Sequence, residues 1–200
     1  MSVNVYPVSG KELRHDGYEV KVNGKPVALD AARVSAIPFN RRWPGHQRTM
    51  DQTEMINFLS LATDEPVTFE IIPKTPFETV EIRPASLGIS PEIEGGVIRF
   101  TLEKPAYFTV EPYGRQNALH IFADPMPRYD VDPADKNVIY FGPGIHEPGQ
   151  IELKSNQTLF LDEGAVVYAC VKATDANNIR ILGHGILDNS HNKEQILFEV

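Results

Sequence analysis

One cysteine, Cys170, stands in 200 residues, so neither an intrachain disulfide nor a cysteine-rich zinc site can form. Its setting, Val166-Val167-Tyr168-Ala169-Cys170-Val171, reads as a buried structural thiol rather than a nucleophile. No uninterrupted apolar stretch approaches the roughly 18 residues that a membrane span needs, and Met1-Ser2-Val3-Asn4 is not the basic-then-apolar opening of an export signal. No membrane partner is expected. The location expected is cytoplasmic, or secreted if a signal has been removed and a cloning methionine stands in its place. Basic side chains are outnumbered, 19 Lys and Arg against 27 Asp and Glu, for a net charge of −8; such a surface repels phosphates, which argues against a nucleic-acid partner. What the chain does have is ordinary hydrophobic content, 42%, with 23% charged residues. That composition excludes a disordered tail, a collagen repeat and a coiled coil. Its 14 glycines and 16 prolines imply many turns and few long helices.

The first half divides into short apolar stretches separated by turn residues. Tyr18-Glu19-Val20-Lys21-Val22 followed by Asn23-Gly24 is a hairpin signal, with Pro26-Val27-Ala28-Leu29 returning. Val67, Phe69 and Ile71 alternate, as do Val80 and Ile82, and Ile98, Phe100 and Leu102. Tyr107 to Val110 and Leu119 to Phe122 complete a set that predicts an antiparallel β-sandwich. One helix is expected, over Thr53 to Leu61, where Met55, Phe58, Leu59 and Ala62 fall at helical spacing and Asp51 or Thr53 could cap it.

Ala123 to Asp135 holds three prolines and four aspartates and reads as a linker. The domain organisation expected is therefore a sandwich over residues 1–130 and a second domain over 131–200. In the latter, Val138-Ile139-Tyr140-Phe141, Leu159-Phe160-Leu161 and Ile179-Arg180-Ile181-Leu182 recur about every 20 residues, with glycines and asparagines between them. A strand-rich repeat of that period predicts the coils of a parallel β-helix, each burying its inner side chains against the next. Ile196-Leu197-Phe198-Glu199-Val200 reads as mid-strand, so more coils are expected after it, and an open coil edge is expected to aggregate or to pair as a homo-oligomer.

From Tyr140-Phe141-Gly142-Pro143-Gly144-Ile145-His146, through Leu153 to Val167, to Asn178-Ile179-Arg180-Ile181-Leu182-Gly183-His184-Gly185-Ile186-Leu187-Asp188, the chain resembles the first coils of the right-handed β-helix glycoside hydrolases. These are the polygalacturonase-like and dextranase-type enzymes of the pectin lyase-like fold. Asn117 to Pro125 is similar to the end of the sandwich that precedes the helix in the dextranase group. The resemblance implies an all-β protein acting on a carbohydrate, pectic or related, by inverting hydrolysis with two carboxylates about 6.5 to 9.5 Å apart. It implies no cofactor. The family's aspartates lie on middle coils, as Asn-x-Asp and Asp-Asp, followed by the histidine of a Gly-His-Gly and by Arg-x-Lys. This chain has no Asp-Asp and no Arg-x-Lys, and Asp188-Asn189-Ser190 has the wrong order for Asn-x-Asp. The catalytic residues are therefore expected beyond residue 200, and this portion is expected to be inactive alone.

Gly183-His184-Gly185 matches the tripeptide but precedes any aspartate pair, so it reads as a tight corner with His184 facing solvent. Asp162-Glu163 reads as a pair of turn carboxylates. His120 and His146 lack partner histidines at metal-ligand spacing, and no metal is expected. The candidate sugar-binding residues are Arg41, Arg42, Trp43, His46 and Arg48, in a polar insert rich in side chains that stack on or hydrogen-bond a sugar. The same loop could instead cement the two domains, with Trp43 as a buried anchor. The rival to an enzyme is a non-catalytic carbohydrate-binding or assembly module that presents this loop.

Overall fold

The computed structural model describes residues 3–6, 10, 14–35, 51, 53–127, 129–189 and 191. Arg41, Arg42, Trp43, His46 and Arg48 lie outside these residues. The fold is all-β, an N-terminal sandwich followed by the first coils of a right-handed parallel β-helix. Among the described residues there is no α-helix; Ala85–Leu87 forms a 3-10 turn. The chain makes two compact units, one holding the described residues up to 127 except Gly10, the other holding Gly10 and those from 129 onward.

Eleven described strands build the first unit: β1 (Val3–Val5), β2 (Tyr18–Val22), β3 (Lys25–Val27), β4 (Asp30–Ser35), β5 (Thr53–Thr63), β6 (Val67–Pro73), β7 (Glu81–Arg83), β8 (Glu92–Glu94), β9 (Val97–Leu102), β10 (Ala106–Arg115) and β11 (Leu119–Asp124). One sheet runs β3-β2-β6-β9-β8, and the other β1-β5-β11-β10-β7 with β4 also on β5. Pairing is antiparallel except between β5 and β11, which are parallel. The β2–β3 hairpin turns at Asn23 and Gly24, both at positive φ, 48° and 74°. Asparagine and glycine tolerate that geometry, and its twist suits a two-residue hairpin.

Alternation places one side chain in two inside. Along β6, Val67, Phe69, Ile71 and Pro73 are buried, while Thr68 faces out and Glu70 and Ile72 are partly covered. Phe69 stacks on Phe100 with centroids 5.2 Å apart, and Phe108 meets both edge-on from the opposite sheet at 6.0 and 5.8 Å. Such tilted ring pairs add attraction to the roughly 1.5–3 kcal/mol that burying each ring contributes.

The helix expected over Thr53 to Leu61 is instead most of β5, an 11-residue strand. It is held on one edge by β4 and β1 and on the other by β11. Leu59 and Leu61 point into the core, and Phe58 on the opposite face packs edge-on against Phe122. Apolar residues on both faces erase the two-residue period. The partner strands that decide the matter are remote in sequence, so local spacing favoured the wrong element.

The second unit winds β12 (Val138–Phe141), β13 (Gly144–Glu152), β14 (Thr158–Leu161), β15 (Ala165–Lys172), β16 (Arg180–Gly183) and β17 (Ile186–Asp188) into two parallel sheets, β12-β14-β16 and β13-β15-β17. Val138 pairs with Thr158 and Thr158 with Arg180, so successive coils take 20 and 22 residues. Inner side chains stack coil on coil: Ile139 and Phe141 lie over Leu159 and Leu161, and Ile151 lies over Val171. An irregularity between His146 and Gly149 absorbs one extra residue in β13.

Asparagines hold one corner. Asn156 and Asn178 both have positive φ, 66° and 57°. The Nδ2 of Asn178 donates to the Oδ1 of Asn156 at 2.9 Å, one coil below. Asn178→Ala removes the bond and a residue that tolerates the left-handed region, and is expected to lower stability by about 2 kcal/mol. Asn178→Gly keeps the backbone and loses only the bond, so urea titrations should give about half that loss.

Candidate functional site

In the described part of the β-helix, aromatic and acidic side chains gather on the outer face of the β12-β14-β16 sheet. Register puts Tyr140, Phe160 and Leu182 on one rung. Because the coil is 20 residues there, the rings of Tyr140 and Phe160 stack nearly parallel, 6.0 Å apart at 9°. Tyr129 meets Phe160 edge-on at 5.7 Å and lies 5.6 Å from the imidazole of His184. Tyr129 and Tyr140 are each about two-fifths exposed, 41% and 37%, leaving ring surface open to a ligand. Stacked tyrosine and phenylalanine rings of this kind match the C–H faces of pyranose rings.

Asp162 closes β14 at the edge of this strip. Its Oδ2 accepts the Tyr140 hydroxyl at 2.5 Å, and its Oδ1 accepts the Glu163 amide at 2.8 Å. The carboxylate beside it raises the Tyr140 phenol pKa above the ordinary value, chiefly through that hydrogen bond. Asp162 and Glu163 thus stand at a turn. The strip offers partly exposed ring surface and one carboxylate whose hydrogen bonds hold it in place.

Gly183 has φ of 109°, and a Cβ built there would lie 1.9 Å from the Leu161 carbonyl oxygen. A Cβ at Gly185 would meet the Asp162 carbonyl oxygen and the Leu161 Cβ at 2.9 Å. The tripeptide is therefore a corner at which successive coils come too close for side chains. His184, expected to face solvent, is half-buried beside Tyr129, and its Nε2 atom is shielded from water. Tyr129 lies between, meeting the imidazole on one side and Phe160 edge-on. Cys170, expected to be buried, is half-buried because it lies on the outer side of β15, opposite Ala169.

His146 bonds the Gly142 carbonyl through Nε2 at 2.7 Å and packs on Phe141, a local structural role. Among the described residues no group of three or more His, Cys, Asp or Glu is placed to hold a metal ion. None of their helices is long and apolar enough to cross a membrane. In the sandwich, a cleft of about 230 Å³ is lined by His15, Asp16, Lys74 and Tyr113, among others. Its size is below the usual range for a ligand pocket, about 300 to 1,000 Å³.

The ring strip was legible in principle, since Tyr140 and Phe160 are one coil apart. It needed the register of 20 and 22 residues, which the apolar runs alone blur by a residue.

No family model matches the sequence, and no curated protein matches it. Among solved structures the chain is similar to Dex49A from Penicillium minioluteum, with a TM-score of 0.60 and 18% identity over 91% of this chain and 47% of that one. The chain spans about half the length of Dex49A. At this identity the likeness is one of fold. It supports a sandwich followed by a parallel β-helix and does not single out the polygalacturonases.

Proposed function

We propose that this chain is the leading sandwich and first coils of a hydrolase that cleaves glycosidic bonds in a polysaccharide. The observation that supports it most is the fold likeness to Dex49A, which extends over 91% of the chain and so takes in sandwich and coils together. In this reading an acid carboxyl and an opposing carboxylate, set about 6.5 to 9.5 Å apart for inversion, belong to coils beyond residue 200. Ile181 and Leu187, 50% and 40% exposed on the last described strands, form an apolar surface that such coils would bury. The Tyr129, Tyr140 and Phe160 strip is a sugar contact leading toward them. The insert with Arg41, Arg42, Trp43, His46 and Arg48 is a second sugar contact, and Trp43→Ala should weaken substrate binding. The likeness to Dex49A lends no weight to a pectic substrate.

The test is to express the polypeptide read past Val200 beside the 200-residue chain. Reducing sugar should appear from a neutral polysaccharide with the longer chain only, and the first product should carry the inverted anomer by proton NMR. A frame that stops at Val200, or a longer chain that releases nothing, sinks the proposal. The second reading is a non-catalytic carbohydrate-binding module, favoured by the open stacked rings of Tyr140 and Phe160. Binding without cleavage by the whole polypeptide would select it.

A further inference from the structure

The outward face of the β4-β5-β11-β10-β7 sheet presents a second aromatic surface, on the sandwich. Register aligns Asp30, Phe58, His120, Thr109 and Arg83 along one rung, and Ser60, Phe122 and Tyr107 along the next. An outward position on a sheet that also has a buried face ordinarily carries a polar side chain. Here Tyr107 and Phe122 are 60% and 39% exposed and touch edge to face with centroids 5.8 Å apart. Phe58 continues the row at 6.3 Å from Phe122. Beside the rings lies an open depression of about 540 Å³, lined by Arg83, Thr109, His120 and the two exposed rings among others. That volume suits a small-molecule or sugar ligand.

The polar groups around the depression are already matched to one another. Arg83 pairs with Glu81 and, at 3.4 Å, with Glu111. The Thr109 hydroxyl donates to Glu111 at 2.6 Å, and the Tyr107 hydroxyl donates to Asp124. Burial lowers the His120 pKa from its ordinary value, against the pull of Glu111 and Glu54. Glu81 and Glu111 pair with Arg83 and Asp124 holds Tyr107, so this side carries these three carboxylates against one guanidinium, on a chain of net charge −8. A polyanion such as a uronate chain would be repelled. An uncharged ligand with apolar ring faces and many hydroxyls meets what is there, rings to stack on and fixed carboxylates and a guanidinium to exchange hydrogen bonds with.

We propose that this face of the sandwich is a binding surface for a neutral polysaccharide, with Tyr107 and Phe122 as the stacking rings and Arg83, Glu81 and Asp124 as the hydroxyl partners. The surface goes beyond the hydrolase reading and does not depend on it, since it anchors a chain and breaks no bond. Phe58, half-buried, backs Phe122 and fixes its tilt.

Native electrophoresis of the 200-residue chain through gels containing dextran, a soluble neutral β-glucan or polygalacturonate tests it. Retardation by at least one neutral glucan is expected, persisting in about 0.5 M salt because no charge pairing drives it. Tyr107→Ala and Phe122→Ala should each weaken binding about tenfold. Tyr107→Phe, which keeps the ring, should stay within about threefold of the parent. Ile93→Ser, on the edge strand of the other sheet, should bind like the parent. Circular dichroism and a thermal melt establish that the variants are folded. No retardation by either neutral glucan, retardation by polygalacturonate alone, or unchanged binding in both ring variants overturns the proposal. So does a dimer in sedimentation that Tyr107→Ala converts to monomer, because the face would then belong to a second copy of the chain. Failure here leaves the cleavage assay on the longer polypeptide untouched.

Discussion

Gly183→Ala is expected to destroy the corner between β16 and β17, at a cost on the order of 3–5 kcal/mol. The new methyl group would sit 1.9 Å from the Leu161 carbonyl oxygen and 2.7 Å from its carbon, both backbone atoms of the coil below. Backbone in a stacked coil cannot swing aside as a side-chain tip can, so the coils must separate locally. The φ of 109° adds strain for any residue with a Cβ. Gly149→Ala is the contrast. It also has positive φ, 73°, but nothing lies within 4 Å of the added Cβ, so only the conformational cost remains, about 1–2 kcal/mol. Hydrogen exchange discriminates the two. In Gly183→Ala the Gly185 amide, which donates to the Leu161 carbonyl at 3.0 Å, should lose protection together with β16 and β17. The sandwich strands β2, β6 and β9 should keep theirs. Equal protection of Gly185 in the variant and the parent would mean that the close approach is relieved more easily than the backbone contacts imply.

The same corner explains what could and could not be read from residue order. Strand alternation in β2, β6 and β9 is visible because each has one buried face, and the hairpin at Asn23-Gly24 carries its own turn chemistry. The coil period is visible because the inner apolar pairs recur. Gly183-His184-Gly185 is ambiguous by spelling, since two glycines around a histidine suit a catalytic loop and a crowded corner alike. Only the distance to Leu161 decides. The ring surface of Tyr107 and Phe122 is hidden for another reason: the two residues are 15 apart in sequence and become neighbours only through the β10–β11 register. The parallel pairing of β5 with β11 is equally invisible locally, and missing it is what allowed a helix to be expected where a central strand lies.

Asn57 is the polar exception within that strand, and replacing it should be nearly as damaging as the corner glycine. It is 1% exposed on β5. Its Oδ1 accepts the Gly17 amide at 3.1 Å, while its Nδ2 donates to the His15 carbonyl at 2.8 Å and to the Asp30 carbonyl at 3.2 Å. One side-chain amide thus secures the segment that leads into β2 of the other sheet and closes against β4. Asn57→Ala leaves one backbone donor and two carbonyls without this partner where water has little access, and should cost about 3–4 kcal/mol in urea unfolding. Asn57→Asp tests the account by its pH dependence. An ionised carboxylate there would face two carbonyl oxygens in a dry setting, so its folded pKa must rise above the unfolded value of about 3.9. A group whose folded pKa is raised contributes its stability below the unfolded pKa and loses it as pH rises through the folded one. The Asn57→Asp variant should therefore come closest to the parent near pH 4 and fall progressively behind it toward pH 7. A stability difference that stays constant across that range would show that the amide is not the donor to His15 and Asp30 that the structure places there.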